Sequence, residues 1–241
     1  MPNPSSPLSD QVAVVTGASR GIGAAIAGKL AGLGMQVVIT GRDRKALGEV
    51  EERIAQQGGR CEGRIHDVTS LADITGLATY IDDGFGRLDV LVNNAGVGLF
   101  GTPLHEMQPA DWDRIMDTNL RGVFYCIRAL APMMIRQGGG HIINISSIAS
   151  KNPVANGAAY AASKWGLNGL SYSVAEELRN YGVRVSVVCP GSTDTGLRRA
   201  AAGDTSRMLL PDDIAHAVAM LVVQAPQSFV SEIVVRPTRK P

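Results

Sequence analysis

The chain is poor in cysteine: Cys61, Cys126 and Cys189 are far apart and odd in number. They form neither a disulfide framework nor a zinc pattern, and they read as core or half-buried free thiols. The four histidines, His66, His105, His141 and His216, are scattered without ligand spacing, so no metal site is expected. No surplus of either charge exists, with 23 Lys and Arg against 22 Asp and Glu. Nucleic acid and anionic membrane surfaces are therefore not expected partners. No apolar run reaches the roughly 18 residues that a spanning helix needs. The first ten residues, MPNPSSPLSD, lack the basic and apolar regions of a signal peptide. They read as a short disordered lead (1–10), and a cytoplasmic location is expected.

Glycine is what the chain has in excess, with 28 among 241 residues and no three-residue period of the collagen kind. A hydrophobic fraction of 45% and a charged fraction of 19% allow a real core and exclude disorder throughout. The length suits one domain, over residues 11–241.

Short Val- and Ile-rich runs alternate with helical spacing along the whole chain. Strands are predicted at Gln11–Thr16, Met35–Thr40, Arg60–His66, Leu88–Val92, His141–Ser146, Val183–Cys189 and Glu232–Val235. Helices are predicted at Ile22–Leu33, Asp43–Gln57, Ser70–Phe85, Pro109–Gln137, Ala158–Tyr181 and Pro211–Gln224. Continuous apolar strands imply burial on both faces, hence a doubly wound parallel α/β sheet with helices on each side. Ligands of such sheets bind beyond the carboxyl ends of the strands, where strand order reverses.

The segments that follow strands carry the chemistry. After the first strand comes Thr16-Gly17-Ala18-Ser19-Arg20-Gly21-Ile22-Gly23. Glycine permits a tight turn and close backbone approach to a pyrophosphate, which the next helix N-terminus then faces. The spacing is T-G-x-x-x-G-x-G. Asp67-Val68 follows the third strand and Asn93-Asn94-Ala95-Gly96 the fourth; Asn119 lies in a long helix. Ser147 follows the fifth strand, Tyr160 and Lys164 make a Y-x-x-x-K pair, and Pro190-Gly191 with Thr195 follow the sixth. Seven motifs in this order resemble the short-chain dehydrogenase/reductase family, and within it the 3-oxoacyl-(acyl-carrier-protein) reductase-like group.

That resemblance implies a seven-stranded Rossmann fold and a hydride-transferring oxidoreductase for a ketone and a secondary alcohol. It implies a catalytic set of Asn119, Ser147, Tyr160 and Lys164. A cofactor would be held by Gly17, Ser19, Arg20, Gly21, Ile22, Gly23, Arg42, Asp67, Val68, Asn94, Ala95, Gly96, Tyr160, Lys164, Pro190, Gly191, Thr193 and Thr195. Substrate would meet Gly98, Leu99, Ser147, Ala149, Tyr160, Ser192 and Leu197. Homodimers or homotetramers are implied, through the two long helices.

The cofactor choice rests on the second strand's end, Thr40-Gly41-Arg42-Asp43. An acid at the position of Gly41 would bind the ribose of NAD, whereas arginine accommodates the 2′-phosphate of NADP. Arg20 and Arg42 can clamp that phosphate, so NADP(H) is expected. The other reading leaves both arginines solvated and Asp43 on the ribose, with NAD(H) as cofactor. Tyr160 and Lys164, four apart on a helix, share one face. A free tyrosine has a pKa of about 10, and a nearby ammonium lowers it toward useful acid-base work. Alternation along a strand end puts Ser146 and Ser147 on opposite faces, and the spacing to Tyr160 favours Ser147.

Trp112 and Trp165 read as packing residues, Glu49, Glu51, Glu52 and Arg53 as a solvated helix face, and Lys151 as plain surface. The lid, about 195–210 with Arg198, Arg199 and Arg207, is short. The C-terminus lacks the V-D-G-G close of the 3-oxoacyl reductase group. Acyl thioesters and other small carbonyls or alcohols both stay open as substrates, and a non-catalytic NADP(H)-sensing regulator is the reading from another class.

Overall fold

Seven short strands lie side by side and all run parallel: β1 (Val12–Val15), β2 (Gln36–Gly41), β3 (Arg60–Ile65), β4 (Val90–Asn93), β5 (Gly140–Ile145), β6 (Val183–Pro190) and β7 (Glu232–Val235). The computed structural model describes residues 8–195, 205–225 and 227–239. Sheet order is β3-β2-β1-β4-β5-β6-β7. The chain winds outward from β1 to β3, then returns to β4 on the other side of β1. That reversal opens a crevice beyond the carboxyl ends of β1 and β4.

Period-two alternation feeds two cores. In β1, Ala13 and Val15 face one and Val12 and Val14 the other. The first core takes Ile26 and Leu30 of α1 (Gly21–Gly32), Leu47 and Ile54 of α2 (Arg44–Gln56), and Ile214 and Leu221 of α7 (Pro211–Val222). The second takes Ile74 and Ile81 of α3 (Leu71–Phe85), Leu130 and Met134 of α5 (Gly122–Arg136), and Leu167 and Leu178 of α6 (Ala158–Leu178). Local chemistry sets the helix ends. Asp43 Oδ1 accepts from the Ala46 amide at 3.1 Å, capping α2. Ser70 Oγ accepts from the Asp73 amide at 3.2 Å and donates to Asp73 Oδ1 at 2.8 Å, capping α3. Such caps are worth about 1 kcal/mol each.

The strands and helices stand within a few residues of the predicted bounds. One predicted element is divided. The stretch Pro109–Gln137 is α4 (Pro109–Met116), a π-helical turn at Asp117–Arg121, and then α5. Two side-chain readings are corrected. Trp112 and Trp165 are 36% and 54% exposed rather than packed inside. Trp165 follows the buried Lys164, and a step of about 100° around the helix carries it outward. Glu51 leaves the solvated face: its carboxylate accepts the Gly63 amide of edge strand β3 at 2.6 Å. Lys151 is at the surface as read, and there it is ion-paired with Glu232 at 2.9 Å.

Candidate active site

The turn after β1 is zipped to the turn after β4. Thr16 Oγ1 accepts the amides of Asn94 (3.0 Å) and Ala95 (3.1 Å), while Asn94 Nδ2 donates to the carbonyls of Thr16 (2.9 Å) and Gly17 (3.0 Å). Two glycines permit this approach. Gly17 has φ +63°, and a Cβ there would stand 2.7 Å from Ala95 Cα. A Cβ on Gly23 would stand 2.4 Å from Asn94 Nδ2. Gly23 is therefore packed behind the turn and lines neither of the two clefts described below.

A cleft of about 260 Å³ runs over this turn. Of the expected cofactor residues, Gly17, Ser19, Arg20, Gly21, Ile22, Arg42, Asp67, Val68, Asn94, Ala95, Gly96, Tyr160, Lys164 and Thr195 line it. Helix α1 opens into it with neither a side-chain cap nor an acid in its first turn. Its first amides are thus suited to an anion such as a pyrophosphate. At the far end, a Cβ on Gly41 would sit 3.5 Å from Ser19 and Leu47, so the strand end carries no acid although it has room for one. Arg42 is 3.7 Å from Asp67 with its side chain 74% exposed, and Asp43 is occupied as the α2 cap. His66 also lines this end, and burial lowers its pKa and favours the neutral ring. Sequence reasoning passed over His66 because it looked for metal spacing, not for a side chain beside Asp67.

The catalytic candidates gather at the other end. Lys164 is buried, and its Nζ donates to the Ile145 carbonyl at 2.8 Å and sits 5.9 Å from the centre of the Tyr160 ring. Burial pulls its pKa down to about 8. Asn119 lies in the π-helical turn, fully buried. Its side chain accepts from the Val97 amide (2.8 Å) and donates to the Val97 carbonyl (2.8 Å) and Ser163 Oγ (3.0 Å). Ser146 and Ser147 do part company. Ser146 Oγ is buried and donates to Asn168 Oδ1 at 2.6 Å, whereas Ser147 Oγ accepts from the Ala149 amide at 3.1 Å; Ser147 borders a second cleft, and Ser146 lines both.

This second cleft, about 180 Å³, joins the first at Tyr160. Ser147, Ala149, Tyr160 and Ser192 line it as expected. Pro190, Gly191 and Thr193 line it too, rather than the first cleft, because β6 ends on that side. Gly98 and Leu99 line neither cleft; Phe100 stands in their place. Its ring packs edge-on against Tyr160 with centroids 5.0 Å apart, and a Cβ on Gly98 would be 2.8 Å from it. An aromatic flanked by Gly98 and Gly101 was the signal available for it. Leu197, Arg198 and Arg199 lie outside the described residues.

Comparisons with known proteins agree with this geometry. The chain is 39% identical to an uncharacterized oxidoreductase of Staphylococcus saprophyticus, over 95% of this chain and 98% of the relative. Its fold is similar to a metagenomic short-chain oxidoreductase crystallised with NADP, with TM-score 0.86, 55% identity, and 97% and 99% of the two chains covered. It is also similar to an actinorhodin polyketide ketoreductase variant crystallised with NADPH, with TM-score 0.87, 30% identity, and 94% and 96% covered. The family described as short chain dehydrogenase matches residues 11–205. With that match spanning most of the chain, over a parallel sheet whose two clefts meet at Tyr160, the protein belongs to the short-chain dehydrogenase family of oxidoreductases.

Proposed function

We propose that this oxidoreductase interconverts a ketone and a secondary alcohol with NADP(H). The observation that carries the reading is that Tyr160 borders both clefts, so one phenol can reach a cofactor on one side and a carbonyl on the other. The NADP and NADPH in the two similar structures support the cofactor. So does the acid-free strand end at Gly41, with Arg20 and Arg42 along the same cleft. When bound, the nicotinamide supplies or accepts the hydride.

The chain's own residues do the rest. Uncapped α1 amides would hold the pyrophosphate, and Arg20 and Arg42 would pair with the 2′-phosphate. Ser147 donates to the substrate oxygen and orients it. Tyr160 protonates that oxygen in reduction and accepts the proton in oxidation. Lys164 holds positive charge beside Tyr160 and favours its phenolate. Asn119 holds the Val97 turn and the π-helical turn in register, at the point where backbone carbonyls leave the regular ladder and can carry a relay water. The second cleft is walled by Phe100, Ile148, Pro153 and Val154, which suits a compact apolar ketone or the reacting end of an acyl thioester. Exposed Trp112, Phe124 and Trp165 supply an apolar face for self-association. An NADPH-depletion assay over 3-oxoacyl thioesters, aliphatic and aromatic ketones, quinones and sugars tests the reading, run in parallel with NADH. Turnover of at least one carbonyl class with NADPH preferred is expected; an NADH preference would refute the arginine clamp.

A further inference from the structure

We infer that Asn168 is a positioning residue that fixes Ser147 against the Tyr160–Lys164 pair. This inference rests on the roles proposed above for Ser147 and Tyr160. Asn168 lies on α6, four residues beyond Lys164 and eight beyond Tyr160, so all three share one helix face. Its side-chain amide grips both flanks of Ser147. Oδ1 accepts from Ser146 Oγ at 2.6 Å, on the residue before Ser147. Nδ2 donates to Ser150 Oγ at 3.0 Å, and Ser150 Oγ in turn donates to the carbonyl of Ser147 itself at 2.5 Å. Asn168, Ser146 and Ser150 are all buried, so water does not replace a lost partner freely.

The arrangement explains the serine doublet. Ser147 borders the second cleft, and the hydroxyl of Ser146, a residue that lines both clefts, is taken up by Asn168. One rigid helix thereby carries the phenol, the ammonium and the clamp that sets the serine's place. The outer side is tied as well. Nδ2 lies 3.4 Å from Tyr172 Oη; that hydroxyl donates to Glu232, which pairs with Lys151 at the end of the Ile148–Ser150 turn. A misplacement of about 1 Å at a reacting group can cost on the order of 100-fold in rate. A clamp on Ser147 is therefore worth far more to turnover than to cofactor binding.

A double-mutant cycle tests this: Asn168→Leu, Ser147→Ala and the double variant, each assayed for kcat, KM and NADPH dissociation constant by fluorescence titration. Asn168→Leu is expected to lower kcat about 10- to 100-fold with NADPH affinity within about threefold of the parent. In the Ser147→Ala background it is expected to lower kcat no further, because the clamp then holds nothing that reacts. Equal losses in both backgrounds, or an undiminished kcat in Asn168→Leu, overturn the inference. Full activity in Ser147→Ala alone overturns the role of Ser147 and the clamp with it, a pattern distinct from the first two. Should Asn168→Leu fold poorly, Ser150→Ala decides in its place. It removes the bond to the Ser147 carbonyl together with the Asn168 Nδ2 bond that Ser150 Oγ accepts, and leaves the Asn168–Ser146 bond in place; it is expected to give a loss of about tenfold that also vanishes without the Ser147 hydroxyl.

Discussion

The two clefts meet at Tyr160 and are built in opposite ways. The first cleft, proposed for the cofactor, is floored by backbone brought close: Gly17 against Ala95, Asn94 on the Thr16 and Gly17 carbonyls, and the open amides of α1. The second cleft, proposed for the substrate, is walled by the side chains of Phe100, Ile148, Pro153 and Val154. Backbone recognition tolerates almost no added atom and reads a constant group such as a pyrophosphate. Side-chain walls can be exchanged while the fold persists, so substrate range can vary over an unchanged nucleotide site.

The sharpest way to break that comparison is at Tyr160, one of the residues that line both clefts. Tyr160→Phe is expected to lower kcat about 1000-fold with NADPH affinity nearly unchanged, by steady-state kinetics and fluorescence titration. Next comes the cofactor turn. Gly17→Ala places a methyl 2.7 Å from Ala95 Cα at φ +63°, and strain of about 1–3 kcal/mol is expected to weaken NADPH roughly 10- to 100-fold in the same titration. Gly41→Asp is milder, because a Cβ there meets only ordinary contacts at 3.5 Å. Its carboxylate is expected to repel the 2′-phosphate and shift the kcat/KM ratio about tenfold toward NADH.

The smallest effect at neutral pH lies far from both clefts. His141, buried in strand β5, shares a hydrogen bond with Ser186 of β6, and burial followed by the nearby Arg184 charge pulls its pKa down to about 3. Below pH 6.5 the unfolded chain takes up a proton that the folded chain refuses. Stability is then lost as pH falls, by about 1.4 kcal/mol per unit between pH 6.5 and 3 from this group, and by nothing at pH 7 and above. Denaturant titrations at pH 7, 6 and 5 are expected to show a shallower decline in His141→Asn than in the parent.

The two clefts also differ in how legible they were. Short apolar strands, Gly17 and Gly21 in the first turn, and the Tyr160–Lys164 spacing are local patterns, and the structure places them as read. Asn168 and Phe100 act through partners 18 to 60 residues away along the chain, which no local period records. Trp112 and Trp165 failed for a related reason: helical spacing gives their register, but only the packed neighbours decide which side is covered. The division of Pro109–Gln137 by a π-helical turn is likewise enforced by long-range bonds from Asn119 to Val97 and Ser163.

The central claim is that hydride passes between a nicotinamide in the backbone-built cleft and a carbonyl carbon in the side-chain-built one. Turnover of a ketone with NADPH deuterated at the transferable C4 position tests it most directly, with the product alcohol analysed by mass spectrometry. One deuterium on the carbinol carbon for each NADPH oxidised is the predicted result. NADPH bound, with the ketone recovered unreduced across every carbonyl class, would contradict it.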